Sequence, residues 1–96
     1  MAFICTVHIP HPLEKFQQAE ADNPQLTEVI VRAAEKYMTS HRLAAADGEA
    51  IEINEFARAE DHEAFLSEAG EAIAELNAIL GTPLVDKLYL EVPHDH

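Results

Sequence analysis

The chain has 96 residues, 48% of them hydrophobic, which suits one domain over residues 1–96 near the lower end of what folds unaided. Eighteen acidic residues against six basic ones give a formal charge of −12, a field that repels nucleic-acid phosphates and anionic lipid surfaces. The six cations (Lys15, Arg32, Lys36, Arg42, Arg58 and Lys87) are dispersed and no apolar run reaches membrane-spanning length, so neither nucleic acid nor membrane is an expected partner. The opening MAFICTVHIP has no basic n-region and no long apolar core, and does not read as a signal peptide. With one cysteine, Cys5, no intrachain disulfide can form, and the expected setting is the cytoplasm.

In chain order, Phe3, Cys5, Val7 and Ile9 alternate with Ile4, Thr6 and His8, the period-two pattern of a strand, which Pro10 and Pro12 end. Leu13 to Glu20 can form a short helix with Leu13 and Phe16 on one side. Asn23-Pro24 is a helix start, an N-cap residue followed by proline at the first helical position. Leu26, Val29, Ile30, Ala33, Ala34, Tyr37 and Met38 then recur at helical spacing. His41 to Ala45 reads as a strand, Asp47-Gly48 as a hairpin turn, and Ala50 to Phe56 as the returning strand. Glu60, Asp61 and Glu63 load the first turn of a helix with the charge its dipole favours. Its apolar stripe runs through Phe65, Leu66, Ala69, Ile73, Leu76 and Leu80, with a bend expected at Gly70. Gly81-Thr82-Pro83 stops it, and Lys87 to Val92 is the closing strand.

This order, β-α-β-β-α-β, is the ferredoxin-like α+β sandwich, with the helices on one face of a four-stranded sheet. Parity assigns Cys5, Val7, Ile9, Leu43, Ile51, Ile53, Leu88, Leu90 and Val92 to the face under the helices. Ile4, Thr6, His8, Arg42, Glu52, Asn54, Phe56, Tyr89 and Glu91 are assigned to the other face, which is too polar for a dry core and too apolar for plain solvent.

The segment SHRLAAADGEAIEINEFARAEDHEAFL, Ser40 to Leu66, resembles the middle of the small antibiotic-biosynthesis-monooxygenase-like domains: a short strand, an acidic turn, a strand ending in Glu-aromatic and an Ala/Glu-rich helix. LGTPLVDKLYLEV, Leu80 to Val92, is similar to their closing Gly-x-Pro turn and last strand. The resemblance implies a dimeric α/β barrel, in which the mixed sheet faces of two copies meet and the helices lie outside. A homodimer is therefore expected. It also implies a small-molecule pocket between helices and sheet, and a cofactor-independent monooxygenase or cyclase-like activity on an aromatic or polyketide-type substrate. The haem-degrading relatives use an Asn-Trp-His set, and this chain has no tryptophan.

Six histidines carry most of the candidate chemistry. His8 has the parity of the mixed face, and is either a general base tuned by Glu52 or Glu91 or a hydrogen-bonded interface residue. His11, between two prolines, forms an H-x-x-H pair with His8, but at a strand end and without a third ligand at customary spacing. His94 and His96, near the end of the chain, complete a ligand set or are solvated. His62 falls on the stripe of the last helix and either points toward the sheet, where a buried imidazole needs a partner and Glu55 is the acceptor that parity suggests, or is a helix-start histidine turned out to water. In the enzyme reading His62 is the base, Glu55 orients it, and Phe65, Tyr37 and Met38 wall the pocket. His41 rims the same pocket or caps the preceding helix, and Asn54 binds substrate or pairs across the dimer. No metal or other cofactor is called for in that reading; the alternatives are metal or haem binding through His8, His11 or His62, and a non-catalytic ligand-binding dimer. No Gly-rich phosphate loop, G-x-S-x-G or C-x-x-C motif is present.

Overall fold

The computed structural model describes residues 1–95; His96, considered above as a ligand, lies outside the described residues. The elements are β1 (Phe3–Ile9), α1 (Leu13–Asp22), α2 (Pro24–Tyr37), β2 (Ser40–Ala46), β3 (Glu49–Phe56), α3 (Ala59–Leu80) and β4 (Val85–Leu90). The strands form one antiparallel sheet in the order β2-β3-β1-β4, the ferredoxin-like arrangement. No described helix is long and apolar enough to cross a membrane.

Local chemistry explains most boundaries. Proline opens α2, but Asn23 does not cap it with its side chain: the Nδ2 donates backwards to the Ala19 carbonyl at the end of α1, at 2.8 Å. The joint between α1 and α2 is instead stapled by the Thr27 hydroxyl, which donates to the Glu20 and Asn23 carbonyls. Met38 is the C-cap of α2 rather than a helical residue. α3 runs unbroken through Gly70 and ends at Gly81, whose φ of 84° is the left-handed C-cap conformation open to glycine. Gly48 supplies the other positive φ, 79°, in the β2–β3 turn.

The register corrects the expected faces. Across the sheet His41, Asn54, Cys5 and Leu88 form one row, and Leu43, Glu52, Val7 and Asp86 the next. Ala50, Glu52, Asn54 and Phe56 of β3 therefore lie beneath the helices, while Ile51, Ile53 and Glu55 face the open side, the reverse of the parity read from sequence. The anchor is Phe56, 0% exposed and packed with Cys5, Ala33, Phe65 and Ala69; at the other end of the strand Ala50 packs with Ile9, Phe16, Ala19, Leu76 and Leu80. Once both ends of β3 point inward, a strict alternation carries the polar Glu52 and Asn54 inward with them. β4 also begins two residues earlier than expected, which places Asp86 in the sheet, and Val92 lies beyond the strand. Leu88 and Leu90 have the expected parity, but both are exposed on the edge strand β4.

Candidate functional site

Between the helices and the sheet the two clusters of buried side chains leave a cavity of about 520 Å³, a size that holds a small organic molecule. Its apolar walls include Ile30, Ala34 and Met38 around α2 and Phe65, Leu66 and Ile73 from α3. The floor is polar, because β3 is turned the way described above.

On the β2/β3 side of that floor, His41 Nδ1 lies 2.5 Å from Asn54 Oδ1. An amide oxygen can only accept, so Nδ1 carries the hydrogen and Nε2 is left with its lone pair whenever the ring is neutral. Asn54 is 4% exposed. Nε2 faces Glu52 Oε2 at 3.9 Å. Burial raises the Glu52 carboxyl above the ordinary carboxylate range; His41 opposes this and Glu20, from α1, adds to it. Glu20 is itself raised by burial, again opposed by His41. One imidazole thus stands among two carboxyl groups that hold their protons unusually well.

On the β1/β4 side, Cys5, His62 and Asp86 converge: one ligand-type atom from each lies within 4.8 Å of the others. Burial first, then the neighbouring Asp86 carboxylate, pushes the Cys5 thiol up to about 11; a backbone hydrogen bond from Lys87 opposes this. His62 Nε2 is buried without a hydrogen-bond partner among the described residues, and its ring meets the Phe56 ring edge-on, centroids 5.2 Å apart.

The expected site residues separate accordingly. His62, Met38, His41, Asn54 and Phe65 line the cavity. Glu55 does not reach it: its register with Ile4 and Ser40 puts it on the open face, so the proposed His62–Glu55 pair is corrected by the inverted parity of β3. His8 is on the open face as expected, but it pairs with Glu49 at 3.0 Å, since Glu52 is on the other side of the sheet. Tyr37 packs beside the Cys5–Phe56 cluster, yet its hydroxyl donates to Glu68 at 2.6 Å, outside the cavity. His11 is buried and its Nε2 donates to the Thr82 carbonyl at 3.3 Å, tying the start of α1 to the α3–β4 turn. Sequence reasoning missed Glu20, Cys5 and Asp86 as members of the site. Asp86 was recoverable from the alternation of β4 had the strand been started at Val85.

No protein-family profile and no curated protein matches the sequence. Solved structures match it over nearly its whole length. A dimeric ferredoxin-like protein from an uncultured marine organism superposes with a TM-score of 0.70 at 8% identity, over 99% of this chain and 91% of that one. The monooxygenase ActVA-Orf6 of Streptomyces coelicolor, in complex with nanaomycin D, gives 0.64 at 15% identity over 99% and 91%. An antibiotic biosynthesis monooxygenase gives 0.65 at 15% identity over 97% and 100%. The chain has the ferredoxin-like α+β fold of the antibiotic-biosynthesis-monooxygenase-like proteins.

Proposed function

We propose that this protein is a cofactor-independent monooxygenase or cyclase-like enzyme for an aromatic or polyketide-type small molecule, working as a homodimer joined through the open sheet face. The observation that carries the reading is the His41–Asn54–Glu52 arrangement on the β2/β3 side of the cavity floor, facing apolar walls from α2 and α3. Asn54 fixes the ring and its tautomer, so Nε2 is presented as a general base to a phenol or an activated C–H. Phe65, Met38 and Ile30 supply the apolar surface that a fused aromatic ring buries. The resulting phenolate or carbanion reduces dioxygen admitted to the same cavity. For an activated methylene the stoichiometry closes with dioxygen as sole oxidant: one oxygen atom becomes the carbonyl, and the other leaves as water with the two methylene hydrogens. His41 takes the place of His62 as the base, because among the described residues His62 Nε2 has no hydrogen-bond partner to fix its tautomer, whereas Asn54 fixes that of His41.

The homodimer rests on the open face, where Ile4, Ile51 and Ile53 lie beside Val85 and Tyr89, 61% and 46% exposed. That a ferredoxin-like neighbour is dimeric supports a homodimer. The test uses an anthrone as substrate and nanaomycin D, the ligand of the Streptomyces neighbour, as binding probe. Oxygen uptake with the anthrone is expected to fall by about 10² to 10⁴ in His41→Ala, the usual contribution of a positioned base. Nanaomycin D is expected to raise the melting temperature of the wild type but not of Ala34→Trp, which fills the cavity. Absence of both oxygen uptake and probe binding overturns the reading.

A further inference from the structure

We propose that Cys5, His62 and Asp86 form a binding site for a divalent transition-metal ion of the zinc class, on the opposite side of the cavity floor from His41. The inference goes beyond the oxygenase reading and does not depend on it.

The three residues come from three elements, β1, α3 and β4, and their ligand-type atoms already lie within 4.8 Å of one another. A tetrahedral zinc with one sulfur, one nitrogen and one oxygen ligand has ligand–ligand separations of about 3.3–3.7 Å. Closing the remaining distance takes about 1 Å, which the exposed Asp86 side chain can supply by rotation while the buried Cys5 stays in place. Thiolate, imidazole and carboxylate together suit zinc better than magnesium or calcium, which take oxygen ligands.

Two further observations point to a cation. Among the described residues His62 Nε2 is a buried nitrogen without a hydrogen-bond partner, an arrangement that costs free energy unless something accepts its lone pair or its proton. Around Cys5 the charges acting on the thiol are Asp86 and Glu52, both negative, so the site has the local potential that a cation would neutralise. On the scale of the whole molecule, the formal charge of −12 raises the local concentration of cations. Three protein ligands leave a fourth position, and Cys5, His62 and Asp86 all line the cavity. A zinc ion there is redox-inert and leaves its fourth position to water or another exogenous donor.

The experiment titrates Zn²⁺ into the chelator-treated, dialysed protein against a chromophoric competitor, with Co²⁺ as a spectroscopic substitute. One equivalent is expected to bind, and binding is expected to weaken at least about 100-fold in Cys5→Ser and His62→Gln, and about 10-fold in Asp86→Asn. His8→Ala, remote on the open face, is expected to leave it unchanged. The Co²⁺ form of the wild type should show a thiolate-to-metal charge-transfer band. That band is the decisive readout if a variant fails to fold, because it requires no substitution. Substoichiometric binding, an affinity that Cys5→Ser leaves unaltered, or a Co²⁺ spectrum without the thiolate band each overturns the site.

Discussion

Replacing Glu52 by glutamine tests the electrostatics of the cavity floor directly. The side chain is 19% exposed, and burial, reinforced by Glu20, raises its pKa in the folded state above the ordinary glutamate value. The folded protein therefore binds its proton more tightly than the unfolded chain does. Stability from this group is fully present below the unfolded pKa, about 4.3, and is lost as the pH rises through the folded pKa. Above that window the wild type holds an ionised carboxylate in a poorly hydrated place, and Glu52→Gln does not. Each pH unit separating the folded and unfolded pKa corresponds to about 1.4 kcal/mol. A chain of 96 residues has an unfolding entropy near 0.2 kcal/mol per kelvin, so each unit amounts to about 7 °C in melting temperature. The attraction of Glu52 for protonated His41 at 3.9 Å works the other way, and only while the ring is charged. Thermal unfolding of both proteins between pH 4 and pH 8.5 gives the test. The melting-temperature difference, variant minus wild type, is expected to be near zero or negative at pH 4 and positive at pH 8. A difference that is flat with pH, or that falls as pH rises, refutes the account of Glu52 as a carboxyl held unfavourably when ionised.

Two other substitutions probe the packing on either side of the sheet. Phe56→Ala empties the position that anchors β3 against Phe65 and His62, and a loss of about 3–5 kcal/mol is expected, measured as the midpoint shift in urea unfolding. Ile53→Glu places a charge at the centre of the open face without touching the cavity; losing about 2 kcal/mol of burial from each of two copies should weaken a dimer roughly 10³-fold, seen by light scattering over a concentration series.

The order of elements was legible because hydrophobic periodicity and the punctuation at Pro10, Asn23-Pro24, Asp47-Gly48 and Gly81 are local signals. For His62 the stripe it shares with Phe65, Ala69 and Ile73 pointed inward, while its place in the first turn of α3 left a solvent-facing histidine equally open; the structure sets it on the cavity wall. The face of β3 was not. Ile51 and Ile53 look like core residues and Glu52 and Asn54 like surface ones, and that rule assumes a dry interior on one side and water on the other. Here the covered side contains a cavity with a polar floor, and the open side carries Ile51 and Ile53 among polar residues such as His8, Glu49 and Glu55, so the rule inverted. Glu55 was assigned to His62 through the same inversion. Glu20 carries no signal in sequence at all: a glutamate on an amphipathic helix is ordinarily solvated, and only the packing of α1 over β3 sets it beside Glu52.

The inverted strand also links the site to assembly. A 96-residue domain has few apolar side chains to spare, and β3 gives two of its best, Ile51 and Ile53, to the face that the helices leave bare. Burying a residue of this size contributes about 1.5–3 kcal/mol once something covers it. In the same strand Glu52 and Asn54 occupy inward positions where isoleucines would pack the space now open as cavity. Exchanging the two pairs would give a tighter single subunit with a polar open face and no polar floor. The arrangement in this chain sacrifices packing within one subunit to keep the His41–Asn54–Glu52 group under the helices, and the apolar surface displaced by that choice lies where a second copy can bury it. The proposed dimer and the polar-floored cavity both follow from one choice of register in β3.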